Sequence, residues 1–110
     1  MLAELSNAMV ALHREDFGRG PGAARSFASD GMVVCVLTDI YTQVEKTLIR
    51  AGQFDHVRDT RALHQEALEA DYKRRVEEVT GRPVEAFLRV VHVDPDVSVE
   101  VFLLSGSDER

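Results

Sequence analysis

The chain has one cysteine, three prolines, no tryptophan and no excess of basic residues. A single cysteine, Cys35, excludes an intrachain disulfide and a four-thiolate zinc site. It sits in the apolar run 32–37 with nothing beside it to depress its pKa, so it reads as a small buried hydrophobe. Thirteen Lys and Arg stand against 19 Asp and Glu, a formal charge of −6. That balance gives no general pull toward nucleic acid or anionic lipid. Five Phe and two Tyr are spread along the chain, mostly on apolar faces rather than as exposed stacking pairs, which also argues against an RNA-binding module. No apolar stretch approaches the ~18 residues of a membrane-spanning helix. The N-terminus has no basic segment leading into an apolar run. The expectation is a cytoplasmic protein without membrane insertion, peripheral to a membrane only through a partner.

What is present is enough for one core. At 110 residues with 45% hydrophobic composition, a single globular domain is expected over 1–104, with a small, charged, frayed tail at 105–110. The organising stretch is 84–104, VEAFLRVVHVDPDVSVEVFLL. It reads as two strands closed by Asp94-Pro95-Asp96-Val97. With Pro95 and Asp96 at the tip, Val90 faces Val101, Leu88 faces Leu103 and His92 faces Val99. One side then carries Leu88, Val90, Val99, Val101 and Leu103. The other carries Phe87, Val91, Val93, Phe102 and Leu104, interrupted by Arg89, Ser98 and Glu100. A hairpin apolar on both sides needs cover on both sides.

The remainder supplies elements for that cover. Residues 2–17 place Leu2, Leu5, Ala8, Met9 and Leu12 on one helical face, ended by Gly18. Asp30-Gly31 joins two strand-like runs, with Phe27 facing Val34. Thr42 and Glu45 form a capping box for a short helix from 43 to about 51. Asp55 is the expected N-cap of a long helix reaching about 79. Its stripe is Val57, Leu68, Tyr72, Val76 and Val79, flanked by Leu63, Ala67 and Ala70, with Glu69–Lys73 and Asp71–Arg75 pairs on the wet side. Thr80-Gly81-Arg82-Pro83 repeats the earlier exit Gly18-Arg19-Gly20-Pro21. The fold class is therefore α+β: tandem αββ units in the order αββααββ, forming a four-stranded antiparallel sheet with helices packed on one face. The surplus length of the long helix, about 37 Å against about 19 Å of sheet width, and the two-sided hairpin point to a homodimer.

Chemistry-bearing constellations are sparse. His92, Asp94 and Asp96 form H-x-D-x-D at a hairpin end and could begin a divalent metal site; turn chemistry accounts for the same residues. Gly18 to Gly22 is glycine-rich, but it runs from helix to strand, the reverse of a phosphate loop. Arg14, Arg19 and Arg25 could still gather there around an anion or an acidic partner, and Lys46, which has no structural assignment, is a further candidate for such binding. His64 lies on the stripe of the long helix and reads as packed. No Ser/His/Asp set, thiolate pair or hydrolytic acid pair is evident, so no catalytic residue, no cofactor and no enzymatic activity is expected.

The segments FGRGP at 17–21, VVCVL at 33–37, EKTLI at 45–49, VEEVTGRPV at 76–84, AFL at 86–88 and VHVDPD at 91–96 resemble the MpsC-like family of small bacterial proteins. The likeness runs from about residue 2 to 104. It departs at Asp39-Ile40-Tyr41, where a glycine-like or small residue is expected. The resemblance implies an accessory subunit or regulator of a Na+-translocating or inorganic-carbon membrane transport system whose large partners carry the transport. It assigns no active-site residues. The alternative is an effector-binding module holding a small anion or metal ion near Arg19 and Arg25 or near His92 and Asp94.

Overall fold

The computed structural model describes residues 1–106. The elements are α1 (Leu2–Phe17), β1 (Ala23–Ser29), β2 (Met32–Thr38), α2 (Gln43–Arg50), α3 (Phe54–Thr80), β3 (Val84–His92) and β4 (Val97–Leu104). This is the expected αββααββ order. The strands form one antiparallel sheet in the order β1-β2-β4-β3. The second strands of the two hairpins thus meet at the centre, with Cys35 opposite Glu100. Helix α1 lies on the β1 side and α3 on the β3 side, both on one face, while α2 packs on α3.

The core forms where the periods of helix and strand converge on that face. Leu5, Met9 and Leu12 of α1, Val33, Cys35 and Leu37 of β2, Tyr72 and Val76 of α3, and Phe87 and Phe102 of β3 and β4 belong to one buried cluster. Phe87 and Phe102 stack at 4.5 Å, and Tyr72 stacks on Phe87 at 5.3 Å. Large side chains of this kind contribute roughly 1.5–3 kcal/mol each when fully buried.

The two αββ units repeat in their details. Both long helices end on a left-handed glycine, Gly18 at φ 80° and Gly81 at φ 73°, whose amide donates to the carbonyl four residues back. The arginine after each glycine then donates to a carbonyl just past its own hairpin: Arg19 to Tyr41, and Arg82 to Ser105. Asp39, where a small residue was expected, has φ 55°. Aspartate tolerates that left-handed region better than most side chains.

Several expectations are corrected. The hairpin register is shifted by two residues: Val90 pairs with Val99, Leu88 with Val101 and His92 with Val97. The loop is four residues long because tertiary bonds hold it. Asp96 accepts from the Ile40 amide through its carboxylate and from the Asp39 amide through its carbonyl. Helix α3 begins at Phe54 behind Gln53, which makes no side-chain cap, so Asp55 lies in the first turn rather than at the cap. Asp71 pairs with Arg74 at 3.0 Å, not with Arg75, while Glu69–Lys73 forms as expected at 2.8 Å. Leu63 faces away from the core and is 66% exposed. At the end of the chain, Ser105 donates to Pro83 and Arg82 reaches the carbonyls of Ser105 and Gly106. The rest of the tail expected to fray, 107–110, lies outside the described residues.

Candidate functional site

The helix-facing side of the sheet is not purely apolar. Alternation turns Arg89 of β3 and Ser98 and Glu100 of β4 toward the helices, beside Phe87 and Phe102. The true register sets Arg89 directly across from Glu100. Glu100 has no exposed surface. One of its oxygens, Oε2, gathers three groups: His13 Nε2 at 2.9 Å, Arg89 Nε at 3.1 Å and Ser98 Oγ at 3.3 Å. Its other oxygen, Oε1, has no partner. Burial works to raise the carboxyl pKa, but Arg89, with the hydrogen bonds of His13 and Ser98, outweighs it and holds Glu100 below the ordinary glutamate range.

Aromatic rings surround this charge pair. The Arg89 guanidinium lies 5.2 Å from the Tyr72 ring centre and 5.4 Å from that of Phe87. Tyr72 donates its hydroxyl to Asp16 at 2.9 Å, and burial raises its pKa. A second ion pair sits nearer the N-terminus of α3. Arg61, one turn after Val57, grips both oxygens of Glu45 at 2.7 Å and donates to the Ile40 carbonyl at 3.0 Å. Its guanidinium lies 4.1 Å from the Phe17 ring centre, and the His64 ring packs against Phe17 with the two centres 4.7 Å apart. Burial lowers the His64 pKa. Glu45 also closes the capping box of α2 through the Thr42 amide. One carboxylate therefore fixes a helix start and neutralises a buried arginine.

This cluster contains a serine, a histidine and an acid, but in the wrong order for nucleophilic catalysis. His13 and Ser98 both bind Glu100, so the histidine is not placed to take a proton from the serine. Cys35 is fully buried, and burial pushes its thiol up to about 11. What the arrangement offers is charge held in a low-dielectric interior. Arg61 Nη1 and both Nη atoms of Arg89 are buried without a partner.

The residues singled out from sequence lie elsewhere. Arg19 and Lys46 do come together, at 3.0 and 3.7 Å from Asp39, which supplies the negative charge between them. The hydrogen bond from Arg19 is the main reason the Asp39 carboxyl sits below its usual range. Arg14 is exposed in the last turn of α1, and Arg25 lies over Phe27 at 5.6 Å on the opposite face of the sheet. Of the H-x-D-x-D residues, His92 Nδ1 is 2.9 Å from the Pro95 carbonyl and Asp96 holds the Ile40 amide, while Asp94 is exposed. Among the described residues, no group of three or more His, Cys, Asp or Glu side chains is placed to hold a metal ion.

Sequence reasoning missed Arg61, Arg89 and Glu100 as a set. A signal existed for each. The α3 stripe lacks an aliphatic residue between Val57 and Leu68, and Arg61, His64 and Gln65 fill that gap. Arg89 and Glu100 interrupt the apolar side of the hairpin, but the two-residue register difference placed neither opposite the other.

The opposite side of the sheet is a second feature. Val34 and Val36 of β2 and Val99, Val101 and Leu103 of β4 point away from both helices. Phe27, Leu88 and Val90 flank them at 48%, 52% and 68% exposure. No element of the described chain covers them. No curated protein and no solved structure matches the chain. The family model described as Na+-translocating membrane potential-generating system (MpsC) matches residues 1–106, and the chain belongs to that family.

Proposed function

We propose that this protein is a non-catalytic accessory subunit of a Na+-translocating, membrane-potential-generating system and that it works as a homodimer. Family membership supports the system. The observation that carries the mode of action is the uncovered apolar face of the sheet. A contiguous apolar patch of that kind is often a site of interaction. Four strands at ~4.8 Å spacing and seven residues at ~3.3 Å rise give a projected face of about 440 Å². Stacking two such faces buries on the order of 1,000 Å², the scale at which specific interfaces begin.

A second copy is the occupant that fits best. The central strands β2 and β4 are antiparallel and present valines at paired positions, Val34 with Val101 and Val36 with Val99. A face of that symmetry is complementary to itself under a two-fold rotation. The outward residues of the two central strands, Met32, Val34, Val36 and Thr38 of β2 and Val97, Val99, Val101 and Leu103 of β4, are all uncharged, so two copies meet there without like-charge repulsion.

No helix among the described residues is long and apolar enough to cross a membrane. In this reading, ion passage falls to partner subunits, and the chain sits at the membrane, on the cytoplasmic side, through them. The test is co-expression with the membrane subunits of that system. The chain is expected to co-elute with them at fixed stoichiometry after detergent extraction, and its deletion is expected to lower the Na+-dependent potential of membrane vesicles. Membrane subunits that purify without it, with vesicles holding the same potential in the deletion strain, overturn the assignment.

A further inference from the structure

A cavity of about 270 Å³ lies between the N-terminal half of α3 and the edge strand β3. Arg58, Arg61 and Gln65 line it from the helix, and Arg89, Val90 and Val91 from the strand. Three of these side chains are cationic and none is acidic. Arg61 and Arg89 are each 2% exposed. Both are only partly satisfied: Glu45 and the Ile40 carbonyl take Nε and Nη2 of Arg61, and Glu100 takes Nε of Arg89. Nη1 of Arg61 and both Nη atoms of Arg89 have no acceptor. Buried guanidinium N–H groups without acceptors weigh against the fold unless something fills the need.

We infer that this cavity binds a small oxyanion of the carboxylate or phosphate class through Arg61 and Arg89. The donors are planar and of the type that recognises such groups by paired hydrogen bonds; as placed they have almost no accessible surface, so an entering anion meets them through a turn of the guanidinium groups toward the cavity they line. The cavity has ample room for inorganic phosphate or a short carboxylate. Val90 and Val91 give an apolar wall for a short aliphatic part. The mouth lies at the sheet edge, where the Arg58 side chain is 53% exposed and Val90 is 68% exposed. Arg58 is held there by Asp55 at 3.1 Å and Asp59 at 3.8 Å, which an entering anion must compete with. The Arg19–Lys46 group is a weaker candidate because Asp39 already occupies it.

This site stands independently of the transport role, and its test uses the isolated full chain. Thermal melts are compared in about 10 mM acetate, phosphate or sulfate against chloride at matched ionic strength. At least one of the three is expected to raise Tm by about 5 °C, the size of shift given by a ligand at roughly ten times its Kd. Arg58→Gln, at the exposed rim, is expected to weaken binding several-fold while leaving the fold intact. Arg89→Lys keeps a charge for Glu100 but loses the planar fork, and is expected to abolish the shift. A measurement that needs no variant is titration of the 15N-arginine-labelled protein, in which the Nε–H signals of Arg61 and Arg89 should move and saturate. Melts within about 1 °C of chloride for all three anions, or arginine signals that do not move, overturn the proposal and leave the cavity to water.

Discussion

Glu100 shows how one residue can set the acid response of the fold. It is a charge at the centre of the sheet, held ionised by Arg89, His13 and Ser98 against the cost of burial. Its folded pKa lies below the ordinary value of 4.5. The stabilisation it brings is therefore fully present above that pH and is lost as pH falls through the folded pKa. Glu100→Gln is expected to cost about 3–5 kcal/mol at neutral pH, because Arg89 is left buried without its counter-charge. The same variant should show a shallower loss of stability as pH falls below the ordinary glutamate value, read by urea unfolding at a series of pH values. A slope equal to that of the parent protein would place acid sensitivity on other carboxylates, Glu45 first among them. Single-residue chemistry was legible in part. The Thr42–Glu45 box follows from local spacing alone, and it forms. The second duty of Glu45, holding Arg61, depends on where α3 passes, which spacing within α2 does not encode.

Among the elements, the two helix exits were the clearest signals in the chain. Gly18 and Gly81 both adopt the left-handed conformation, and an added Cβ at either would meet nothing within 4 Å. The cost of Gly18→Ala or Gly81→Ala is thus conformational alone, about 1 kcal/mol each, and asparagine should recover part of it. Urea denaturation of the four single variants checks this; a loss well above that size would mean packing strain that the geometry does not contain. Alternation gives the faces of the hairpin 84–104 but not its register. A shift of two residues preserves which side each residue faces, so the apolar pattern does not detect it. The bonds from Asp96 to Ile40 and Asp39 detect it, and they come from a segment more than fifty residues earlier. That displacement is also what concealed the Arg89–Glu100 pair.

For the whole molecule, the decisive feature is that one sheet face is covered by α1 and α3 and the other by nothing in the described chain. Val101 lies near the middle of the open face, on a central strand, with Val34 beside it. The purified protein is expected to run at twice the 12.3 kDa chain mass in light scattering after size exclusion. Val101→Glu should give a folded monomer, since two carboxylates at the centre of a stacked interface repel and lose their water. A parent protein that stays at the single-chain mass at high micromolar concentration would remove the dimer. Composition, periodicity and turn chemistry by themselves determined the element order, the helix stops, the first hairpin's register and the two-sided apolar character of the second, because each rests on contacts within a few residues along the chain. Only the tertiary structure decided which polar residues share the interior. Arg61, Arg89, Glu100 and His13 come from four different elements, and charges that far apart in sequence become partners only when packing removes them from water and leaves one another as the available counter-charge.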